Sequence, residues 1–341
     1  MHSPTSQQTL CGLDAAVERG DLPGLHAVAA LQHGAQVLAG YYSGADERMG
    51  RPAGVITFGP EIAHDLRSVS KNIVSLLFGL VVNEHALDLH APLSTVLTTR
   101  LEQMGPAARA LTLEHVATMT MGVAWDESIS YADPKNAERQ MAAAADRVAF
   151  VLGRPGAEPP GKRWHYCGGA TELLAEVVTQ LSGSALRDFA AHRLFEPLGL
   201  RSPEWLGDEK GPYAASGLRM TALGLARIGQ LILQRGIWDG RVLVPQPWLQ
   251  AAQTPRVPIE GPLSYGYHFY TGEVTTPQGA VHFSAGFGNG GQRLYILPAL
   301  DAVVVVFAGN YNDWKLGLEV PSSVLREHVL PLLAANLQRT Q

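Results

Sequence analysis

Residues 73–82, IVSLLFGLVV, constrain the fold more than any other stretch, being apolar except at Ser75 and Gly79. They are too few to cross a bilayer, which takes about 20 apolar residues. Read as a helix, residues 72–82 carry apolar side chains on nearly every face, so the helix must be buried all round. Such a helix belongs in the middle of a layered fold, with other elements packed on each side. The chain can supply those layers. Its 341 residues are 46% apolar and only 17% charged, against a usual charged share of about 25%. That composition supports a large core and excludes disorder as the dominant state.

The remaining pattern tells which elements surround that helix. Residues 25–44 read as two apolar runs about a His33-Gly34 turn, a hairpin. Asp65 stands where a helix N-cap precedes the buried segment. From Pro92 to about Leu200 the pattern is helical, with 111–121, 136–152 and 169–181 at helical spacing. Residues 216–235 add another helix. Residues 280–283, 292–297 and 302–308 are short strand-like runs parted by turn residues, an antiparallel meander. An amphipathic helix over 320–337 closes the chain. Strands at both ends and helices between predict an α+β fold, with the first hairpin joining the last strands in one antiparallel sheet flanked by helices. On this reading the chain is one catalytic unit. An α/β subdomain comes from 1–85 and 215–341, and a helical subdomain from 86–214.

Several function classes drop out. A net charge of −5, with no basic run, excludes a general nucleic-acid partner. No segment reads as a membrane span. Cys11 and Cys167 are too few for a disulfide framework or a multi-cysteine zinc site. The opening residues MHSPTSQQTLCGLDAA show no secretory leader, so the chain reads as cytoplasmic, although an exported mature form would look the same. Gly156 to Lys162 matches G-x-x-x-x-G-K, but Arg163 follows where Ser or Thr should hold magnesium, and Pro159 and Pro160 lack N–H groups. The run from Gly286 to Gly291 contains G-x-G-x-x-G but leads into the strand-like QRLYIL, not a helix, so it is no dinucleotide site. Twelve histidines show no H-E-x-x-H and no cluster with acidic residues at ligand spacing. Neither a metal nor a cofactor is therefore read. No G-x-S-x-G is present, and a Cys167–His165 pair has no orienting partner nearby.

Ser68-Val-Ser-Lys71 remains, at the start of the buried helix. Residues three apart share a helix face, so the Lys71 amino group can reach the Ser68 hydroxyl. Burial disfavours an ammonium, which lets a lysine act as base or proton relay. A helix N-terminus adds positive potential where an oxyanion forms. On spacing alone Lys71 reads equally as an ordinary helix-start residue.

The segment LRSVSKNIVSLLFGLVV resembles the S-x-x-K region of the serine β-lactamase and penicillin-binding protein superfamily. Further blocks carry the resemblance along the chain: LTLEHVATMTMGVAWDE, PGKRWHYCGGATELLAEVVTQLSG, FEPLGLRSPEW and HFSAGFGNGGQRLYILPALDAVVVVFAGNYN. The pattern is most similar to class C β-lactamase-like serine hydrolases, which include esterases and 6-aminohexanoate-dimer hydrolases. The resemblance implies a β-lactamase/transpeptidase-like fold. It implies Ser68 as the acylated nucleophile, Lys71 as its partner, and Tyr166 as general base for Ser68 and later for water. It places Gly286-Phe287-Gly288 on the strand beside the nucleophile, with the N–H groups of Ser68 and Asn289 as oxyanion hole. Two departures stand out. Gly168 replaces the asparagine found two residues after the tyrosine, and the strand lacks the cation that helps relatives hold a penicillin carboxylate. Trp125, Trp164, Tyr265, Tyr267 and Phe287 are candidates to line an aromatic pocket. The expected function is cleavage of a small ester, or an amide, with acyl transfer, weak lactam turnover or a non-catalytic binding role as alternatives.

Overall fold

The computed structural model describes residues 4–201, 203–259, 261–276 and 279–340. Its middle layer is an eight-stranded antiparallel sheet. The hairpin of β1 (Leu25–Gln32) and β2 (Ala35–Tyr41) turns on His33 and Gly34, both at positive φ. A second hairpin, β3 (Ser43–Arg48) and β4 (Arg51–Thr57), stands outside the sheet. The short β5 (His64–Asp65), β6 (Glu204–Trp205) and β7 (Leu218–Met220) form a small sheet of their own. The main sheet is completed by β8 (Val257–Pro258), β9 (Ser264–Tyr265), β10 (Tyr270–Thr276), β11 (Gly279–Gly288), β12 (Gln292–Leu297) and β13 (Ala302–Ala308). Its order is β8-β9-β10-β11-β12-β13-β1-β2. The N-terminal hairpin does join the C-terminal meander: β1 lies antiparallel to β13 with Val28 opposite Val306.

Helices cover both faces of this sheet, which is why β13 is apolar at every position instead of alternating. Ala27, Ala29, Val303, Val305 and Phe307 face α2 (Ser70–Glu84) and α7 (Ala222–Leu233). Val28, Ala30, Val304 and Val306 face α1 (Pro4–Glu18), α8 (Trp314–Ser323) and α9 (Leu330–Thr340). The expected all-round burial of the central helix is found, since α2 is buried from Ser70 to Val81. On its far side lie α3 (Leu113–Ala117) and α6 (Gly168–Ser182). Its polar side chains are satisfied, as buried polar groups must be. Ser75 Oγ donates to Tyr267 O at 2.7 Å and Asn72 Nδ2 to His268 O at 2.7 Å.

Some expected boundaries shift for local reasons. Residues 136–152 form two helices, α4 (Ala137–Ala143) and α5 (Arg147–Leu152), because Asp146 caps the second and accepts from Ala149 N–H. The helix expected over 216–235 starts only after Thr221, whose hydroxyl caps it, and β7 takes the preceding residues. The C-terminal helix opens earlier, at the Asp313 cap, and contains Pro321. Asp65 is not a helix cap. It lies in β5, fully buried, paired with Arg219 and Arg67 and accepting the Met49 N–H at 2.7 Å. Val69 is the residue before α2, and no side chain caps it. Among the described residues no helix is long and apolar enough to cross a membrane.

The tightest helix contact predicts its own test. A Cβ on Gly79 would lie 2.1 Å from the Trp248 ring. Gly79→Ala is therefore expected to lower the unfolding free energy by about 1–3 kcal/mol, the usual cost of overpacking. Urea denaturation of variant and wild type measures this, and an unchanged midpoint would contradict the packing described.

Candidate active site

The chain arrives at Ser68 through a strained turn. Arg67 has φ of 49°, a region that side chains rarely adopt. Its guanidinium is held by Asp65 and Glu47 at 3.3 Å each and lies 4.5 Å from the Tyr311 ring centroid. Such over-determination is what keeps strained backbone in place at a functional turn. A short 3₁₀ turn over Arg67–Val69 then leads into α2.

Lys71 points back along the helix, as helical side chains do. Its Nζ is 3.0 Å from Ser68 Oγ and 3.1 Å from Ala215 O, and it lies 4.9 Å from the centroid of the Tyr166 ring. The residue is only 2% exposed. Tyr166 lines the same cavity as Ser68. Burial pushes this phenol well above its ordinary range, and the neighbouring Glu127 carboxyl adds to the rise. Ser68, Lys71 and Tyr166, three residues singled out in the sequence, thus meet at one point.

On the opposite wall β11 runs close against the start of α2. A Cβ on Gly288 would come within 2.5 Å of Leu66 O, and one on Gly286 within 2.1 Å of Asn72 Oδ1. Only glycine allows that approach. Phe287, between them, turns away and stacks on Tyr270 at 4.6 Å. The Asn289 side chain is tied to Asn312, donating to its Oδ1 at 2.9 Å and accepting its N–H at 2.8 Å. That pairing fixes Asn289, which with Ser68 borders two cavities. Arg293 lies opposite Phe287 on β12, and its guanidinium is taken up by the carbonyls of Gly288, Gln292 and Gly317.

Two cavities open at Ser68. The larger, about 640 Å³, is walled by Trp164, Tyr166, Tyr270, Phe287, Trp314 and Leu318. The smaller, about 360 Å³, is lined by charged groups including Glu138, Arg139, Arg147 and Glu172. Trp164 and Phe287 are therefore pocket residues. Trp125 stands behind the wall, 5% exposed, and Tyr265 and Tyr267 are core residues at 1% and 3%. The Cys167 thiol is buried, and that burial pushes it up, away from the thiolate a nucleophile needs.

Glu127 is the site residue whose role the sequence did not disclose. Its Oε2 accepts from Trp125 Nε1 at 2.6 Å and from Gly168 N–H at 2.8 Å, while its buried Oε1 has no hydrogen-bond partner. A Cβ on Gly168 would sit 3.1 Å from that carboxylate. The glycine and the acid thus fit together, and Glu127 brings a polar group to the side where the resemblance expects an asparagine. Burial pushes the Glu127 carboxyl up to about 7, with Glu138 adding to the rise and Lys71 opposing it.

A beta-lactamase family model matches residues 13–315. The 6-aminohexanoate-dimer hydrolase of Paenarthrobacter ureafaciens is 26% identical over 290 residues, 80% of this chain and 69% of that protein. A D-aminopeptidase of Cereibacter sphaeroides is 26% identical over 170 residues, 44% of this chain and 33% of the relative. The fold is shared with EstCE1, described as a hydrolase with promiscuous acyltransferase activity. The TM-score is 0.72 at 16% identity, covering 94% of this chain and 98% of that one.

Glu127 makes stability depend on pH in a definite direction. Its carboxyl ionises near 4.5 ordinarily and about 7 in the fold. Between those values the folded chain keeps a proton that the unfolded chain has released, so stability falls as pH rises through that window. Glu172, also pushed up to about 7 by burial, acts in the same direction. Glu127→Gln removes one share. Its unfolding free energy relative to wild type should climb from pH 4.5 to 7 and then level off, as read by urea unfolding across pH. A difference that does not change with pH would refute the assignment.

Proposed function

The chain belongs to the beta-lactamase family, and from that premise we propose that it hydrolyses a small ester, or an amide, through an acyl-enzyme on Ser68. The family and the curated relatives support a serine hydrolase. The observation that carries the finer reading is the 3.0 Å contact between Lys71 Nζ and Ser68 Oγ, beside Tyr166, where the two cavities meet.

In this mechanism Ser68 Oγ attacks the carbonyl carbon and forms the new C–O bond. The carbonyl electron pair moves onto oxygen, where the N–H groups of Ser68 and Asn289 receive it. The Ser68 proton passes into the Tyr166–Lys71 pair and goes on to the departing alcohol or amine as its bond to carbon breaks. Burial holds the Tyr166 phenol in its neutral form, so tyrosine and lysine act as one proton-handling unit. Water then repeats the sequence on the acyl-enzyme, yielding the acid and restoring Ser68.

The aromatic walls of the larger cavity favour an apolar group on one side of the scissile bond. An amide is the second choice, supported by relatives named 6-aminohexanoate-dimer hydrolase and D-aminopeptidase. Penicillin-type substrates are disfavoured, because Gly286-Phe287-Gly288 of β11 offers no cation to their carboxylate and Arg293 is already committed to three backbone carbonyls.

Intact-protein mass spectrometry with a fluorophosphonate should show one adduct on wild type and none on Ser68→Ala. p-Nitrophenyl butyrate should be turned over, and nitrocefin far more slowly. Lys71→Ala and Tyr166→Phe should each cut kcat/KM by roughly 10²–10⁴ with little change in KM, the usual share of general acid–base catalysis. Folded wild type that takes up no probe would overturn the reading.

A further inference from the structure

His26 on β1, Asp46 on β3 and His64 on β5 come together behind the strand that leads to Ser68. They are 0%, 5% and 0% exposed. His26 Nδ1 lies 3.0 Å from His64 Nε2, and Asp46 Oδ1 lies 3.5 Å from the same nitrogen. The three atoms are all within 4.8 Å of one another. Bonds of 2.0–2.1 Å to a tetrahedral zinc ion set neighbouring donors about 3.3 Å apart, so the two short separations bracket that spacing.

Protonation makes the arrangement more demanding. His64 Nδ1 is 2.9 Å from Asp65 O. A carbonyl only accepts, so Nδ1 carries the hydrogen and Nε2 presents a lone pair. Asp46, an acceptor as well, takes the Tyr311 hydroxyl at 2.8 Å. His26 cannot satisfy both of its ends when neutral. With hydrogen on Nδ1 it serves His64 and leaves a buried Nε2 that has no hydrogen-bond partner. With hydrogen on Nε2 that N–H is unpartnered, and two imidazole lone pairs stand face to face with a carboxylate beside them. Putting hydrogen on both nitrogens buries an imidazolium against the ring of Phe58, 4.3 Å away, with Phe307 on the far side of His64 at 4.9 Å. Burying a charge in such surroundings is costly.

We propose that His26 Nδ1, His64 Nε2 and the Asp46 carboxylate bind one divalent transition-metal ion, zinc in the first place, as a structural site. Imidazole and carboxylate are suitable donors for it. The cation resolves the facing lone pairs, and two of the ligands have the outer partner that metal ligands use: Asp65 O for His64 and the Tyr311 hydroxyl for Asp46. A water completes the four-coordinate shell. The ion ties both N-terminal hairpins to β5, four residues before the nucleophile. The proposal is independent of the acyl-enzyme reading.

The test expresses the full chain in minimal medium with added zinc or cobalt, dialyses it, and measures bound metal by elemental mass spectrometry. Wild type should hold about one equivalent, and the cobalt form should show the visible bands of tetrahedral Co(II). His64→Gln and Asp46→Asn should lose both signals. Because buried variants can misfold, wild type is also refolded with and without chelator, and the chelated protein should melt at lower temperature. Folded wild type without stoichiometric metal and without cobalt bands would overturn the proposal in favour of a hydrogen-bonded histidine pair. Metal content unchanged in both variants would overturn it too.

Discussion

Holding the Lys71 amino group almost wholly out of water is the constraint on which this architecture turns. A polar group removed from solvent must find partners or destabilise the fold. Lys71 finds the Ser68 hydroxyl, the Ala215 carbonyl and the face of Tyr166. Those partners come from the turn before α2, the loop before β7 and the loop before α6. The site can therefore form only when the sheet, the central helix and the helices beyond it are all in place. The apolar character of α2 serves the same end, because a helix wetted on one side could not keep its first turn dry.

Close approach is the second theme. β11 reaches the start of α2 only because Gly286 and Gly288 carry no side chain. Gly168 leaves room for the Glu127 carboxyl in the same way. In both places a missing Cβ lets a polar group or the backbone stand near Ser68. Removing side chains near the reacting centre lets the rigid backbone define it, and rigid positioning is what electrostatic stabilisation of an oxyanion requires.

How much of this could be read from the sequence depended on the range of the interaction. Runs such as 73–82 and 302–308 declare themselves because burial on every side leaves a local mark, unbroken apolarity. Ser68 and Lys71 are three residues apart on one helix start, so their contact is local as well. Tyr166 and the strand glycines needed the resemblance, since nothing in their spacing brings them to Ser68. Glu127 escaped because its meaning depends on Gly168, 41 residues later. The cluster of His26, Asp46 and His64 escaped for the same reason, as the two histidines are 38 residues apart. The second hairpin was missed because its exposed strands lack any apolar alternation.

The two cavities share only Ser68, Tyr131 and Asn289 among their lining residues. One is aromatic, the other charged, and the remaining walls come from different segments except where Asn312 of one adjoins Asp313 of the other. Substitutions in walls that do not touch combine nearly additively. Most of either wall can thus drift in evolution without disturbing the other, Glu138 excepted, since its charge reaches Glu127 and Tyr166. A scaffold divided in this way diversifies by halves, and a lineage can change the compound it consumes while its chemistry stays inherited.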